Sequence, residues 1–111
     1  MASDYNVGAM QNDTLTITEF QKIIHDRYSN TDHARGTPAT FMWFVEEVGE
    51  LATALHKAAG EGGNTSGSDD VEAEFADVLA WLCTLANINN VDLTKAVRKK
   101  YLDNGGPSGH K

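Results

Sequence analysis

Glu46-Glu47-Val48-Gly49-Glu50, and the later stretch Glu74-Phe75-Ala76-Asp77, decide how this chain is read. Each holds two acids three residues apart, Glu47 with Glu50 and Glu74 with Asp77, and residues at that spacing are neighbours on one helix face. Apolar residues recur around them at helical intervals: Phe41, Phe44, Val48, Leu51 and Leu55 in the first stretch, Val71, Phe75, Val78, Leu82 and Leu85 in the second. Between them lies Gly60 to Ser68, a Gly- and Ser-rich connector long enough to let the chain reverse. If the two helices fold back antiparallel, the acids lie symmetrically about Gly62, so that Glu47 faces Asp77 and Glu50 faces Glu74. One turn further, the same register sets Trp43 opposite Trp81. The expected result is a patch of four carboxylates with an aromatic floor at one end.

Four adjacent negative charges repel one another and call for a cation. Oxygen ligands with no Cys or His among them suit Mg²⁺, with Mn²⁺ as a possible substitute, and Mg²⁺ characteristically binds carboxylates together with substrate phosphates. The substrate chemistry that follows is a phosphate ester. Taken alone, Glu-x-x-Glu on a helix describes a solvated face. Here both pairs flank dense apolar stripes, register across one hairpin and are bracketed by tryptophans.

The chain has 111 residues and a formal net charge of −7, enough for one domain with a modest core. Oligomerisation would help such a core. The charge argues against nucleic acid as a partner, whereas a small polyphosphate arriving with its own metal escapes that objection. Cys83 is the single cysteine, so no intrachain disulfide forms, and it reads as a small core residue. Met1 to Asp13 lacks the apolar core of a signal peptide, no membrane span is evident, and the expected location is cytoplasmic.

Residues 1–14 show no helical period and read as a flexible arm, and 105–111 as a flexible tail, with one domain over 15–104. Thr16-Ile17-Thr18-Glu19 is a capping-box pattern that opens a first helix ending near Asn30, with Ile17, Phe20, Ile24 and Tyr28 as its stripe. A loop is expected over Ser29 to Thr37, where His33, Arg35 and Gly36 read as turn residues. Thr37-Pro38 starts the second helix, which runs to Ala59. Gly49 inside it costs about 1 kcal/mol against alanine, which predicts that a helix or ligand approaches the backbone closely. The third helix starts near Asp69, with Asp69 and Glu72 as a capping box, and ends near Asn87. After an Asn89-Asn90-Val91-Asp92 turn and cap, a fourth runs from Leu93 to Asp103. Lys100 shares its inward side with Ala96 and Val97 and wants an anionic partner, while Lys95, Arg98 and Lys99 read as a solvated face. No Glu-x-x-His pair of a di-metal bundle occurs, and no Ser/His/Asp or Cys/His arrangement can be inferred.

Phe44-Val45-Glu46-Glu47-Val48-Gly49-Glu50-Leu51 followed by Glu74-Phe75-Ala76-Asp77-Val78-Leu79 resembles the double signature of the MazG-like all-α nucleoside triphosphate pyrophosphohydrolases. The similarity extends through Asn90-Val91-Asp92-Leu93 to Lys100 and Asn104. It implies an all-α, four-helix MazG-like bundle assembling as a homodimer or a dimer of dimers. It also implies a reaction in which a (d)NTP and water give (d)NMP and pyrophosphate. The metal-ligand role carries over to Glu47, Glu50, Glu74 and Asp77, with Glu46 or Glu47 to activate water. Lys100 and Asn104 would steady phosphates, and Trp43 and Trp81 would stack on or wall the base. The same superfamily includes dUTP, dCTP and phosphoribosyl-ATP pyrophosphohydrolases, among which the residues do not choose. A non-catalytic helical protein that binds nucleotide or metal would show the same amphipathic helices and acidic face.

Overall fold

The computed structural model describes residues 14–60 and 69–106. The expectations for the N-terminal arm, the connector after Gly60 and the C-terminal tail fall wholly or mostly outside those residues, and the expected cap at Asp69 rests on a side chain that is not described. All secondary structure among the described residues is helical: α1 Ile17–Gly60, α2 Asp69–Ile88 and α3 Leu93–Val97, the last continuing into a π-helical turn, Arg98–Leu102, and a 3₁₀ turn, Asp103–Gly105.

Helix α1 contains 44 residues, and drawn straight it would be about 66 Å long. The molecule's longest axis is 40 Å, so α1 must bend. It breaks at Gly36, with φ 80° and ψ 170°, a left-handed value that glycine adopts without a Cβ clash. The expected loop over Ser29 to Thr37 is therefore corrected to a break at one residue. Ser29 to Arg35 contains neither glycine nor proline, and Asp32 and Arg35 pair across one turn, so the helix continues to the break. Pro38 then falls in the first turn after it, where the missing N–H leaves no intrahelical bond unmade. The two arms of α1 are 17–35 and 37–60.

Caps define the helix starts. The Thr16 amide donates to Glu19 Oε1 at 2.8 Å and the Glu19 amide to Thr16 Oγ1 at 3.0 Å, the reciprocal pair expected of the capping box. Asp92 Oδ1 accepts from the Lys95 amide at 3.0 Å and caps α3.

The second arm of α1 runs antiparallel beside α2 in the register expected from the acids. Asn89 Nδ2 donates to Thr37 Oγ1 at 3.1 Å, and the Trp43 and Trp81 rings stack with centroids 6.2 Å apart. The first arm instead crosses α2. Gln21 Nε2 donates to Asn87 Oδ1, and Asp32 Oδ2 accepts from Thr84 Oγ1, each at 3.0 Å. Those contacts are about 16 Å apart along the arm and about 4.5 Å apart along α2, so the crossing is steep. Gln21 also fastens the start of α3, donating to the Val91 carbonyl at 2.7 Å and accepting from the Leu93 amide at 3.0 Å.

Among the described residues the buried apolar side chains are few: Ile23, Ile24, Ala58, Val71, Cys83 and Ala86. Ile17, Tyr28 and Val97, expected to face inward, are exposed, and so are four expected core residues of the hairpin, Phe41 at 53%, Val48 at 40%, Phe75 at 55% and Leu82 at 39%. With Val45 and Leu79 these four form one apolar face, because the hairpin register sets Phe41 beside Leu82, Val45 beside Leu79 and Val48 beside Phe75. A helical apolar period marks surface that wants cover, and one copy of this chain covers only part of it. At Gly49 a Cβ would meet nothing within 4 Å, so among the described residues no helix makes the expected close approach. The expected α-helix to Asp103 changes winding at Arg98, and Asn104 takes a left-handed φ of 58°.

Candidate functional site

The antiparallel register brings the acids together. One carboxylate oxygen from each of Glu47, Glu50 and Glu74 lies within 4.8 Å of the others. Asp77, one turn beyond Glu74, lies outside that set, but its charge acts on both Glu47 and Glu74. Glu46 is not brought in. It is exposed, has the smallest influence on Glu47 among the neighbouring acids, and lines an outer cleft with Ala39, Met42 and Trp43.

Glu47 and Glu74 are half-buried, and the Oε1 atom of each is buried with no hydrogen-bond partner. Burial, followed by the charges of Glu50, Asp77, Glu74 and Glu46, raises the Glu47 pKa above its ordinary value. Glu74 is raised for the same first reason, then by Glu50, Asp77 and Asp70, and by a contact with Glu50 that is a hydrogen bond only when one of the two holds a proton. With both ionised, the buried Glu74 oxygen has no donor. Unpartnered buried carboxylate oxygens are costly, and a hard divalent cation is what this all-oxygen donor set would satisfy. Glu47, Glu50 and Glu74 are the residues placed to hold it, with Asp77 adjoining.

A cavity of about 310 Å³ opens beside these acids, between the first arm of α1 and α2. Asp77, Trp81 and Thr84 line it from α2, and Tyr28, Asp32 and Arg35 from the first arm. Trp81 carries the Arg35 guanidinium over its ring, 5.0 Å from the centroid, besides stacking on Trp43. Arg35 Nη1 donates to Asp32 Oδ1 at 3.0 Å and to Thr40 Oγ1 at 3.3 Å. Asp32 is buried, and Thr84 donates to its other oxygen. This network was not legible in sequence. Asp32-x-x-Arg35 is the one local sign of it, whereas Thr40 and Thr84 resemble ordinary helix residues until the arms cross.

Lys100 and Asn104 lie on the π and 3₁₀ turns after α3, and both are exposed. Lys100 Nζ sits 6.0 Å from the centroid of the Tyr101 ring. Among the described residues, neither is hydrogen-bonded or ion-paired to the acids.

Fold and site together define an all-helical protein with a carboxylate centre suited to a divalent cation and a neighbouring cavity walled by tryptophan and arginine. The chain belongs to the MazG nucleotide pyrophosphohydrolase domain family, whose model matches residues 36–101. That span begins at the Gly36 break and includes every acid of the centre; the first arm of α1, with Asp32 and Arg35, precedes it. No curated protein matches the chain. Membership points to nucleotide pyrophosphohydrolase chemistry in general and to dependence on a divalent metal. No helix among the described residues is long and apolar enough to cross a membrane.

Proposed function

We propose that this protein is a Mg²⁺-dependent pyrophosphohydrolase that converts a (d)NTP and water to (d)NMP and pyrophosphate by attack at the α-phosphorus, with Mn²⁺ able to replace Mg²⁺. The observation that carries the reading is the pair of buried, unpartnered oxygens on Glu47 and Glu74, set beside Glu50 within a family whose substrates are nucleotides. When bound, the cation supplies charge stabilisation to the triphosphate oxygens and to the departing pyrophosphate.

The chain's own groups do the rest. Glu47, Glu50, Glu74 and Asp77 hold the cation. A Glu47 carboxylate oxygen not taken up by the cation would accept the proton of the attacking water, from a position among the acids of the centre. Glu46 is a weaker candidate for that role because it faces the outer cleft. Trp43 and Trp81 are assigned to the base: Trp81 lines the cavity, and Trp43, which lines the outer cleft, stacks on it. Lys100 and Asn104 are assigned to the phosphates on their place in the family pattern.

The working form is a homodimer or a dimer of dimers in the cytoplasm. The apolar face of Phe41, Val45, Val48, Phe75, Leu79 and Leu82 supports assembly, since a second copy presenting the same face would cover it and complete the bundle. The test is to compare Glu50→Ala and Asp77→Ala with the natural chain for release of pyrophosphate. Both variants should keep their helical circular dichroism and lose turnover; retained turnover would overturn the ligand assignment.

A further inference from the structure

We propose that Arg35, held in place by Asp32, reads the base of the nucleotide, selecting bases that carry a carbonyl at purine C6 or pyrimidine C4 (guanine, hypoxanthine, uracil, thymine) over adenine and cytosine, which carry an amino group at that position. The inference rests on the nucleotide reading above and adds the substrate class. Among the described residues Arg35 is the one cation lining the cavity, and its side chain is 21% exposed. Guanidinium groups only donate, through a rigid fork. One terminal nitrogen, Nη1, is spent on Asp32 and Thr40, and no other nitrogen of Arg35 has a hydrogen-bond partner among the described residues. The remaining donors meet whatever enters.

Two other assignments fit less well. Asp32 would favour an amino group if it faced the ligand, but its side chain is 4% exposed, and each oxygen already accepts, from Arg35 and from Thr84. Asp32 is thus a positioning residue. A phosphate role for Arg35 is disfavoured by the ion pair at 3.0 Å, which offsets its charge and leaves directional N–H groups. Those suit a neutral carbonyl edge. Trp81, under the guanidinium and stacked on Trp43, fixes the plane in which the fork is presented, and a base entering the cavity would meet the fork and the edge of the Trp81 ring. Because both Asp32 and Arg35 precede the family-matched span, the selection belongs to this chain's first arm.

The experiment measures binding of dGMP, dUMP, dAMP and dCMP to the full chain by calorimetry, for the natural protein, Arg35→Lys and Asp32→Asn. Pyrophosphate release from the matching triphosphates is measured in parallel. The four monophosphates share sugar and phosphate, so differences among them belong to the base. The natural protein should prefer dGMP and dUMP by about tenfold, the discrimination typical of one good arginine fork. Arg35→Lys keeps the charge beside Asp32 but loses the fork and should abolish the preference. Asp32→Asn, which loosens Arg35 without removing it, should reduce the preference several-fold and so serves if Arg35→Lys does not fold. Preference for adenine or cytosine, no binding of any base, or an undiminished preference in the variants would overturn the proposal. Equal weakening of inorganic pyrophosphate binding in Arg35→Lys would also overturn it, in favour of a phosphate role. An Arg35-dependent preference without turnover would uphold base reading and sink the pyrophosphohydrolase reading alone.

Discussion

Replacing Asp32 by alanine tests the crossing of the first arm over α2 where the structure makes it most exacting. Asp32 is 3% exposed and accepts at 3.0 Å from both Arg35 and Thr84. Deleting its carboxylate strands a guanidinium and a buried hydroxyl together. Removing one partner of a buried ion pair costs roughly 3–5 kcal/mol. Arg35 remains partly solvated and rests on Trp81, which brings that share down to about 2–3 kcal/mol. The hydrogen bond from Thr84 adds about 1 kcal/mol, for a total near 3–4 kcal/mol against a typical domain stability of about 5–15 kcal/mol. At roughly 4–8 °C per kcal/mol for a domain of this size, Tm should fall by about 12–32 °C. Asp32→Asn keeps an acceptor and should cost about half as much. Urea unfolding followed by circular dichroism, at one protein concentration because assembly shifts the midpoint, gives the comparison. A loss below about 1 kcal/mol for Asp32→Ala would refute the buried network and the steep crossing it holds.

Three more outcomes follow from the same geometry. Mg²⁺ or Mn²⁺ should raise the Tm of the natural chain and leave Glu47→Gln and Glu74→Gln nearly unmoved, while each variant without metal should be no less stable than the natural chain at pH 7; an undiminished metal response in both would relocate the cation. Glu47 and Glu74 have raised pKa values in the folded state, so between the ordinary value of 4.5 and the raised ones the folded protein binds more protons than the unfolded chain. Stability therefore falls as pH rises through that interval; without metal the protein should melt higher just above pH 4.5 than the two groups alone would allow at pH 7, and saturating Mg²⁺ should flatten that slope in calorimetric scans. Val45→Glu with Leu79→Glu places charges at the centre of the apolar face, and sedimentation velocity should show dissociation to a monomer; an unchanged sedimentation coefficient would move the assembly surface elsewhere.

The hairpin was legible because its evidence is local and doubled. The spacing of Glu47, Glu50, Glu74 and Asp77 specifies two helix faces, and the tryptophans repeat the same register, so stacking at 6.2 Å follows from the pairing that gathers the acids. The capping box at Thr16 and Glu19 is likewise a short-range pattern with one structural solution. What escaped is long-range. Asp32 and Arg35 look like turn residues because the partners that bury and orient them, Thr84 and Trp81, lie far along the chain and arrive only when the first arm crosses α2. The exposure of Phe41 and Phe75 was illegible for a different reason: an exposed apolar face and an internal core have the same helical apolar period. The change to π winding at Arg98 has no signal in the residues, since Arg98 to Leu102 are all good or ordinary α-helix formers.

The measurement that bears most directly on the central claim is hydrolysis of a nucleoside triphosphate panel with Mg²⁺ in ¹⁸O-labelled water, with mass spectrometry of every product. Attack at the α-phosphorus predicts monophosphate and pyrophosphate in equal amounts, with the label carried by the monophosphate. Label in pyrophosphate, or release of orthophosphate and a nucleoside diphosphate, would contradict it.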